Sequence, residues 1–281
     1  METLIPSRLT TLGHPQRLAI FRLLMRRYPD RLPAGELSEV LRIKPSTLSS
    51  YLSALTQAGL VTQERAGTSL RYSIAMEEVR RTFDYLLTDC CRGRPDLCAP
   101  LSIFPHMEGQ TMPNRKFNVL FICTGNSARS IFAESILRAL AGDRFEAFSA
   151  GTDPESQLNP FALEVLRQNG HDVSGLHAKT VATYQGPDAP VFDFVFTVCN
   201  RAANEACPAW EGQPVSGHWG VPDPVKAEGT PAEKALAFRQ AYSAFLHRIR
   251  AFAALPMERL DRISLQRAVD DLAHLPRGDT E

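Results

Sequence analysis

The pattern of apolar residues changes across residues 99–116, and this change restricts the chain to folds built of two parts. The segment, APLSIFPHMEGQTMPNRK, contains three prolines and one glycine and no sustained period. At 281 residues, the chain also exceeds the usual domain length of about 100–200 residues. We therefore predict a front domain at 1–98, a linker at 99–116, a rear domain at 117–255, and a tail with a weak helix at 256–281.

The composition is that of an ordinary globular protein. Hydrophobic residues make up 44%, charged residues 22%, and the formal net charge is zero, so nothing requires disorder or a membrane. No apolar run approaches the roughly 18–20 residues of a transmembrane helix, and METLIPSRLT lacks the apolar core of a signal peptide. We expect a cytoplasmic protein with no membrane partner. In that compartment, the six cysteines favour metal binding or redox catalysis over structural disulfides.

Helical periods dominate the front domain. Apolar spacing predicts helices at 17–27, 33–42 and 45–59, and LVTQERAGTSLRYSIA predicts two strands around residues 66–68. A further helical pattern follows at 77–91. Helices followed by a hairpin and another helix are typical of a winged helix-turn-helix domain, mainly α with a β-hairpin wing.

The predicted helix at 45–59 has the two sides that a DNA recognition helix requires. Leucines would seat it on the domain, and short polar side chains on the other side would reach base edges and phosphates. A solvated polar face is the alternative, and the helix alone does not decide between them. The predicted DNA-binding residues are Lys44, Ser46, Thr47, Ser49, Ser50, Tyr51, Arg65 and Arg71.

Three cysteines lie together at the end of the front domain, in DCCRGRPDLC. Thiolates select soft ions, and three sulfur ligands suit trivalent arsenic or antimony better than tetrahedral zinc. A packing role for reduced thiols is the alternative, but adjacent cysteines near a helix end with exposed neighbours pack poorly. We predict an arsenite site formed by Cys90, Cys91 and Cys98.

The front domain resembles the ArsR/SmtB family of metal-responsive repressors over residues 8–98. The resemblance rests on LGHPQRLAIFRLL, on STLSSYLSALTQAGLV and on the wing ending in RY. It implies a homodimer on a palindromic operator, joined through apolar residues of the last helix such as Val79, Phe83 and Leu86. The cysteine pair of some members and the zinc-binding histidine pair of others are absent. The Cys-Cys…Cys arrangement resembles that of some arsenite-sensing members, which implies that arsenite distorts the dimer helix and releases DNA.

In the rear domain, short β-prone runs alternate with helical ones. FNVLFI, FEAFSA, PVFDFVFTV and QPVSGHW predict strands, and SIFAESILRALAG and NPFALEVLRQNG predict helices between them. This alternation is expected of a parallel sheet with crossover helices, so the predicted fold class is α/β with four parallel strands. A long helix is predicted at 231–254.

Cys123 ends the first of these strands, in FNVLFICTGNSARS, and Arg129 follows it six positions later. A strand, a loop and a helix N-terminus direct backbone N–H groups inward, which forms a cradle for a tetrahedral anion. Arg129 can donate two hydrogen bonds to the anion, and its charge together with the helix dipole should lower the pKa of Cys123. Ser130 could donate a further bond to the thiolate. The predicted oxyanion-binding residues are Thr124, Gly125, Asn126, Ser127, Ala128, Arg129 and Ser130.

The strand, the small polar loop and the serine after the arginine resemble the low-molecular-weight tyrosine phosphatase fold over residues 117–255. This resemblance implies a late Asp-Pro whose carboxylic acid protonates the leaving group, and Asp223 before Pro224 fits that position. Phosphatases of this fold usually carry aromatic residues beside the Asp-Pro, whereas VKAEGTPAEK follows here. Their absence favours a small inorganic anion over a phosphoprotein.

Two further cysteines distinguish reduction from hydrolysis. Hydrolysis uses only Cys123, Arg129 and Asp223, whereas reduction also needs thiols that carry oxidising equivalents away. Cys199 ends a predicted strand and Cys207 follows eight residues later, which resembles the thiol-coupled arsenate reductases of this fold. The resemblance implies a relay in which Cys123 attacks arsenate, Cys199 then releases arsenite by attacking Cys123, and Cys207 displaces Cys123.

The sequence thus predicts an arsenite-responsive repressor fused to an arsenate reductase, with arsenite as inducer and no tightly bound cofactor. The expected reductant is thioredoxin, glutaredoxin or a low-molecular-weight thiol. The sequence does not decide among these three reductants, because the spacing from Cys199 to Cys207 is one residue longer than in well-known relatives, and Asn200 replaces their aspartate. Two alternatives remain, a phosphatase fused to a metal-responsive regulator and a regulator whose rear domain senses an oxyanion without turnover.

Overall fold

The computed structural model describes residues 4–90, 115–155, 157–186, 188–205 and 210–275. The described residues form two compact units, one on either side of residues 91–114. Most of the predicted linker, together with Cys91, Cys98 and Cys207, lies outside the described residues. The linker therefore stays a prediction.

The helices of the front unit confirm the predicted ones and add one more. The added helix, α1, spans Leu4–Leu12. The next three are α2 (Pro15–Arg27), α3 (Ala34–Leu41) and α4 (Pro45–Gln57). Pro15 and Pro45 occupy first turns, where a backbone N–H has no helical partner in any case. Gly59 ends the α4 segment with a φ of 71°, the left-handed conformation that glycine adopts without strain.

A three-stranded antiparallel sheet and a last helix complete this unit. The strands are β1 (Leu32–Pro33), β2 (Val61–Ala66) and β3 (Ser69–Ile74), in the order β1-β3-β2. Ala66 pairs with Ser69 across a two-residue turn, in which Gly67 has a φ of 62°. Helix α5 (Met76–Tyr85) follows, and a π-type turn continues it over Leu86–Cys90. This order confirms the predicted winged helix-turn-helix class.

Arg8 holds α1 against the rest of the front unit. Its side chain is 3% exposed and donates to the Ala58 carbonyl at 3.0 Å, to Thr82 Oγ1 at 2.9 Å and to Glu78 Oε2 at 2.5 Å. The hydrogen bond from Arg8 lowers the pKa of Glu78. Because a buried guanidinium needs partners on all its donors, these contacts fix α1 against the end of α4 and against α5. Apolar periodicity could not predict a helix that is anchored in this way.

The rear unit contains the predicted four-stranded parallel sheet, in the order β5-β4-β6-β7. Its strands are β4 (Phe117–Cys123), β5 (Phe145–Gly151), β6 (Phe194–Thr197) and β7 (Val215–His218). Strand β6 is shorter than the predicted run at 190–198. The carboxylate of Asp193 explains this, because it accepts a hydrogen bond from the Asn118 backbone N–H at 2.8 Å, beside the start of β6.

Helices cover this sheet. They are α6 (Arg129–Ala141), α7 (Pro160–Gln168), α8 (Asn200–Asn204), α9 (Pro231–Ala253) and α10 (Arg262–Leu272). Helix α9 matches the helix predicted at 231–254, and Thr230 and Glu233 cap it reciprocally. Within the described residues, no helix is long and apolar enough to cross a membrane.

Helix α10 belongs to the core of the rear unit, although its residues were predicted as a separate tail at 256–281. Leu265 and Val269 are buried in the rear core. The Val269 carbonyl accepts a hydrogen bond from Trp219 Nε1 at 3.2 Å, and Gln266 Nε2 donates to the Ser216 carbonyl of β7 at 2.7 Å. Since β7 is an edge strand, this helix satisfies part of its free backbone. The packed rear unit therefore extends beyond residue 255.

Candidate active site at Cys123

Cys123 ends the central strand β4, at the sheet edge where open α/β folds bind their ligands. Ile122 of this strand lies opposite Thr197 of β6, so the chain that continues from β6 passes beside the loop after Cys123. Thr124 Oγ1 and Cys199 Sγ are 3.4 Å apart. The structure thus brings two of the three predicted relay thiols to one edge.

The Cys123 sulfur lies inside the loop formed by residues 124–130. It is 3% exposed, accepts a hydrogen bond from the Asn126 backbone N–H at 3.1 Å, and lies 2.9 Å from Ser130 Oγ. Asn126 adopts a φ of 46°, a left-handed conformation that asparagine tolerates better than most residues. Helix α6 begins at Arg129, so its N-terminus follows the loop directly, as the predicted anion cradle requires.

Burial raises the pKa of the Cys123 thiol above its ordinary value. The hydrogen bond with Ser130 and the charge of Arg129 lower this pKa, and the neighbouring Cys199 raises it. The expectation that Arg129 and the helix N-terminus yield a thiolate at neutral pH is therefore not met in this structure. The charge of Arg129 lowers the pKa of Cys123, as predicted. Burial of the sulfur away from water has the larger effect, and it favours the neutral thiol.

Replacing Ser130 by alanine should raise the pKa of Cys123 further, because the hydrogen bond that favours the thiolate is lost. Since the thiolate is the nucleophile, alkylation of Cys123 by iodoacetamide should become several-fold slower at neutral pH, and its midpoint should move to higher pH. Peptide mass spectrometry over a pH series measures both quantities. The exposed Cys90 provides an internal control, and an unchanged midpoint for Cys123 would refute the assignment.

Arg129 and Asp223 face each other across the mouth of the loop. Arg129 Nη2 lies 2.8 Å from Asp223 Oδ2, and Nη1 donates to the Val221 carbonyl at 3.1 Å. Asp223 Oδ1 also accepts from the Val225 N–H at 3.3 Å, which orders the turn that carries the predicted acid. An anion held by Arg129 would have to exchange with these partners, and the same exchange would free the Asp223 carboxyl to deliver a proton.

Asn126 is the centre of a buried polar network behind the loop. It is 0% exposed, and its side-chain amide donates to Ser130 Oγ at 2.9 Å and to Ser149 Oγ at 2.8 Å. Its side-chain oxygen accepts from the Lys179 backbone N–H at 2.7 Å. With these side-chain groups satisfied, Asn126 is held in the conformation that directs its own N–H at Cys123.

The network ends on Glu134, a buried carboxylate in the middle of α6. Glu134 accepts from Ser149 Oγ at 2.5 Å and pairs with Lys179 Nζ at 2.9 Å and with Arg138 at 2.5 Å. Glu134, Ser149 and Lys179 were not predicted as functional residues. The signal available in the sequence was a glutamate within the otherwise apolar run SIFAESIL, which indicates a charge inside the core that requires partners.

Cys199 lies between the end of β6 and the first turn of α8. Its sulfur is buried and accepts from the Ala202 N–H at 3.4 Å. Cys207 lies outside the described residues, and its exchange with Cys199 stays a prediction.

His218 joins β7 to the chain around Cys199 and was not predicted from the sequence. Its ring is buried, with Nδ1 2.8 Å from Thr197 Oγ1 and Nε2 3.3 Å from Asn200 Oδ1. Asn200 is thereby held at the start of α8.

The comparison with known families agrees with this geometry. Residues 118–263, about half of the chain, match the low molecular weight phosphotyrosine protein phosphatase family. The chain belongs to this family. Residues 12–64 match a helix-turn-helix domain, so the phosphatase-family unit is preceded by a domain of a second kind, as the change of pattern predicted.

Several relatives of this phosphatase-family chain are named arsenate reductases. One from Halalkalibacterium halodurans is 37% identical over 135 residues, which is 48% of this chain and 94% of the relative. One from Bacillus licheniformis is 37% identical over 139 residues, which is 49% of this chain and 96% of the relative. A solved arsenate reductase from Archaeoglobus fulgidus has a TM-score of 0.41 and 23% identity, and it covers 49% of this chain and 99% of its own.

In the helix-turn-helix unit, the two sides of α4 are as predicted. Leu48, Leu52 and Leu55 are buried against the core. Of the predicted DNA-binding residues, Lys44, Ser46, Ser49, Ser50, Arg65 and Arg71 are exposed, and Thr47 and Tyr51 are half-buried. The Tyr51 ring packs on His14, with centroids 4.9 Å apart, so it is more restrained than the serines.

The end of α5 carries the described part of the predicted arsenite site. Cys90 is exposed at the end of the π-type turn, whereas Cys91 and Cys98 lie outside the described residues. Phe83 is 49% exposed. Val79 is buried within the unit, so it belongs to the core and not to the dimer surface suggested for it.

Proposed function

We propose that the rear domain reduces arsenate to arsenite through a cysteine relay. The observation that carries this proposal is the position of Cys199, whose sulfur lies 3.4 Å from the residue following Cys123. Hydrolysis by a phosphatase has no use for a second thiol at that place. The names of the 37% identical relatives support the same reaction.

In the first step, arsenate lies in the loop, where Arg129 and backbone N–H groups bind its oxygens. The Cys123 thiolate forms a bond to arsenic, and Asp223 donates its proton to the departing oxygen, which leaves as water. Burial raises the pKa of free Cys123, so its thiol proton is lost in this step and passes to an oxygen of the bound arsenate. Moving Arg129 from Asp223 to the anion supports both events, because it frees the carboxyl to face the departing oxygen and places a positive charge on the substrate.

In the second step, the Cys199 thiolate attacks the Cys123 sulfur. The electrons of the sulfur–arsenic bond pass to arsenic, which leaves as arsenite, and a disulfide joins Cys123 to Cys199. Cys207 then attacks Cys199 and releases Cys123 for another cycle. The disulfide between Cys199 and Cys207 is reduced by thioredoxin, glutaredoxin or a low-molecular-weight thiol.

An arsenate reduction assay with these three kinds of reductant side by side tests the reaction. We expect sustained production of arsenite with at least one of them, and slow hydrolysis of a phosphate monoester by the same preparation. Ester hydrolysis without arsenite production would establish the phosphatase alternative. Binding of arsenate or phosphate without either activity would establish the oxyanion-sensor alternative.

We further propose that the front domain is a dimeric, ArsR-type repressor that arsenite releases from its operator. The exposed polar side of α4 supports DNA binding, and the exposed Phe83 supports a homodimer. The arsenite site would consist of Cys90, Cys91 and Cys98 at the end of the dimer helix. The product of the enzyme would then be the inducer of the regulator.

Replacing Cys90 by serine should abolish the response of DNA binding to arsenite. In the wild type, we expect arsenite to weaken operator binding by a factor of about 5–150, the usual range of coupling between two sites, and in the variant by less than about twofold. Fluorescence anisotropy with a DNA fragment selected by the wild-type protein measures this. Cys123→Ser, a thiol change in the other domain, should respond like the wild type, and an arsenite response in Cys90→Ser would refute the site.

A further inference from the structure

Residues 219–223, here called the acid segment, connect strand β7 to Asp223. The Trp219 and Val221 backbone N–H groups donate to carbonyls at and just after the end of β6, at 2.8 and 3.4 Å. On the side of the anion loop, the Val221 carbonyl and the Asp223 carboxylate both contact Arg129. The position of the acid therefore depends on the groups that fix the backbone of this segment.

Arg248, a buried residue of helix α9, binds the acid segment from the side of the helices. It is 7% exposed, and its Nη1 donates to the Trp219 and Gly220 carbonyls at 3.2 and 3.3 Å. Its Nη2 donates to the carbonyl of Ala273, the C-cap residue of α10, at 3.4 Å. A buried guanidinium requires acceptors for its fixed set of N–H groups. This one side chain thus joins the acid segment to the end of α10.

Trp219 forms a second link between the acid segment and α10. It is 0% exposed, and its Nε1 donates to the Val269 carbonyl of α10 at 3.2 Å. Its ring stacks on Phe196 of β6, with centroids 3.9 Å apart and 18° between the ring planes. Helix α10 is therefore bonded to the acid segment at two points, and most of it lies beyond the family match, which ends at residue 263.

These links matter for the proton that Asp223 delivers. A general acid must lie within about 2.6–3.2 Å of the atom that it protonates, and a misplacement of about 1 Å can cost on the order of a hundredfold in rate. In the free protein, Arg129 pairs with Asp223. Once Arg129 turns to the bound anion, the backbone of the acid segment has to hold the carboxyl in place.

We propose that Arg248 and Trp219 are positioning residues for Asp223, and that α10 thereby supports proton transfer in the active site. This role rests on the proposed function only in using Asp223 as the acid. The reaction keeps its balance: the Cys123 sulfur bonds to arsenic, an arsenic–oxygen bond breaks, and the Asp223 proton goes to that oxygen, which leaves as water.

The rate at which arsenate adds to Cys123 tests the proposal. It is measured by intact-protein mass spectrometry of quenched samples in a Cys199→Ser chain, where the adduct should accumulate. Arg248→Met should slow the addition by a factor of about 10–100, the effect of lost bonds from a charged donor, and Trp219→Phe, which keeps a ring on Phe196, by about 3–10. The Kd for inorganic phosphate should change by less than about twofold, because the anion loop is untouched.

Asp223→Asn separates positioning from a general structural role. In a chain with this change, Arg248→Met and Trp219→Phe should slow the addition by less than about twofold further, because the residue that they position no longer donates a proton. Equal factors in both backgrounds would overturn the proposal, as would wild-type rates in both variants. Trp219→Phe decides the outcome if Arg248→Met does not fold.

Arg144→Met is the matched control. Arg144 also donates to a backbone carbonyl, that of Ala253 at 2.7 Å, but at the end of α9 and not at the acid segment. This variant should lower the Tm without slowing the addition of arsenate. A loss of rate in Arg144→Met as large as that in Arg248→Met would show that lowered stability, and not the position of Asp223, is the cause.

Hydrolysis of a phosphate monoester by the same variants separates failure of this proposal from failure of the proposed reaction, because the acid serves both reactions. Equal factors in the two backgrounds, in a protein that reduces arsenate, would overturn only the positioning role. A dependence on Arg248 that disappears in Asp223→Asn, in a protein that hydrolyses the ester and makes no arsenite, would refute the reduction and leave the positioning role standing.

Discussion

Cys123→Ser should lower the rate of arsenate reduction by at least about three orders of magnitude, the scale of removing a catalytic nucleophile. A serine oxygen is not ionised at neutral pH and cannot form a disulfide with Cys199, so both steps of the relay fail. Arsenite separated by chromatography and quantified by elemental mass spectrometry measures the rate. The fold should survive, because a hydroxyl can replace the sulfur between the Asn126 N–H and Ser130 Oγ.

Cys199→Ser is the matched control for this prediction. This variant keeps the nucleophile and the anion loop, so arsenate should still add to Cys123, but arsenite should not leave in repeated cycles. Intact-protein mass spectrometry should then show an arsenic adduct in Cys199→Ser and none in Cys123→Ser. Sustained turnover by Cys199→Ser at the wild-type rate would show that an external thiol attacks the adduct directly, and the internal relay would be refuted.

Lys179→Met should lower the free energy of unfolding of the rear domain by about 3 kcal/mol, near the lower end of what breaking a buried ion pair costs. The loss arises because Glu134, at 3% exposed, loses the ammonium group that lies 2.9 Å away and cannot turn to water instead. Ser149 and Arg138 still bond to it, which limits the effect. Urea denaturation followed by tryptophan fluorescence reports on this domain, since both tryptophans lie in it.

The double variant Glu134→Gln with Lys179→Met tests the cause. A neutral amide in place of the carboxylate needs no counter-charge, so the double variant should be more stable than Lys179→Met alone. The two changes should therefore be non-additive. A stability of Lys179→Met within about 0.5 kcal/mol of the wild type, the effect of an ordinary surface substitution, would show that the pair is not a strong element of the core.

The helices and strands that could be predicted from the sequence are those that depend on residues close together in the chain. Four apolar runs became the four strands, because a parallel strand is buried on both faces. Helix α1 could not be predicted from the sequence, since its buried side depends on Arg8, whose partners Glu78 and Thr82 lie about seventy residues away. Helix α10 is predicted only as part of a weak tail, because its apolar residues are buried only when they pack against β7 and α9.

The active site likewise contains residues that could be predicted from the sequence and residues that could not. The loop from Cys123 to Ser130 could be predicted, since strand, loop and helix follow one another directly in the chain. Glu134, Ser149 and Lys179 could not, because their hydrogen bonds connect three separate segments. His218 likewise reaches Asn200 only across two neighbouring strands.

Local spacing determined the two-domain order, the anion loop and the positions of the reactive thiols, because these depend on residues adjacent in the chain. The packed structure decided how far Cys123 is removed from water, and hence that its pKa is raised where the loop sequence predicted a lowered one. It also decided that Arg129 pairs with Asp223. The burial of a side chain and its ion pairs depend on residues from distant segments of the chain, and only folding brings those residues together.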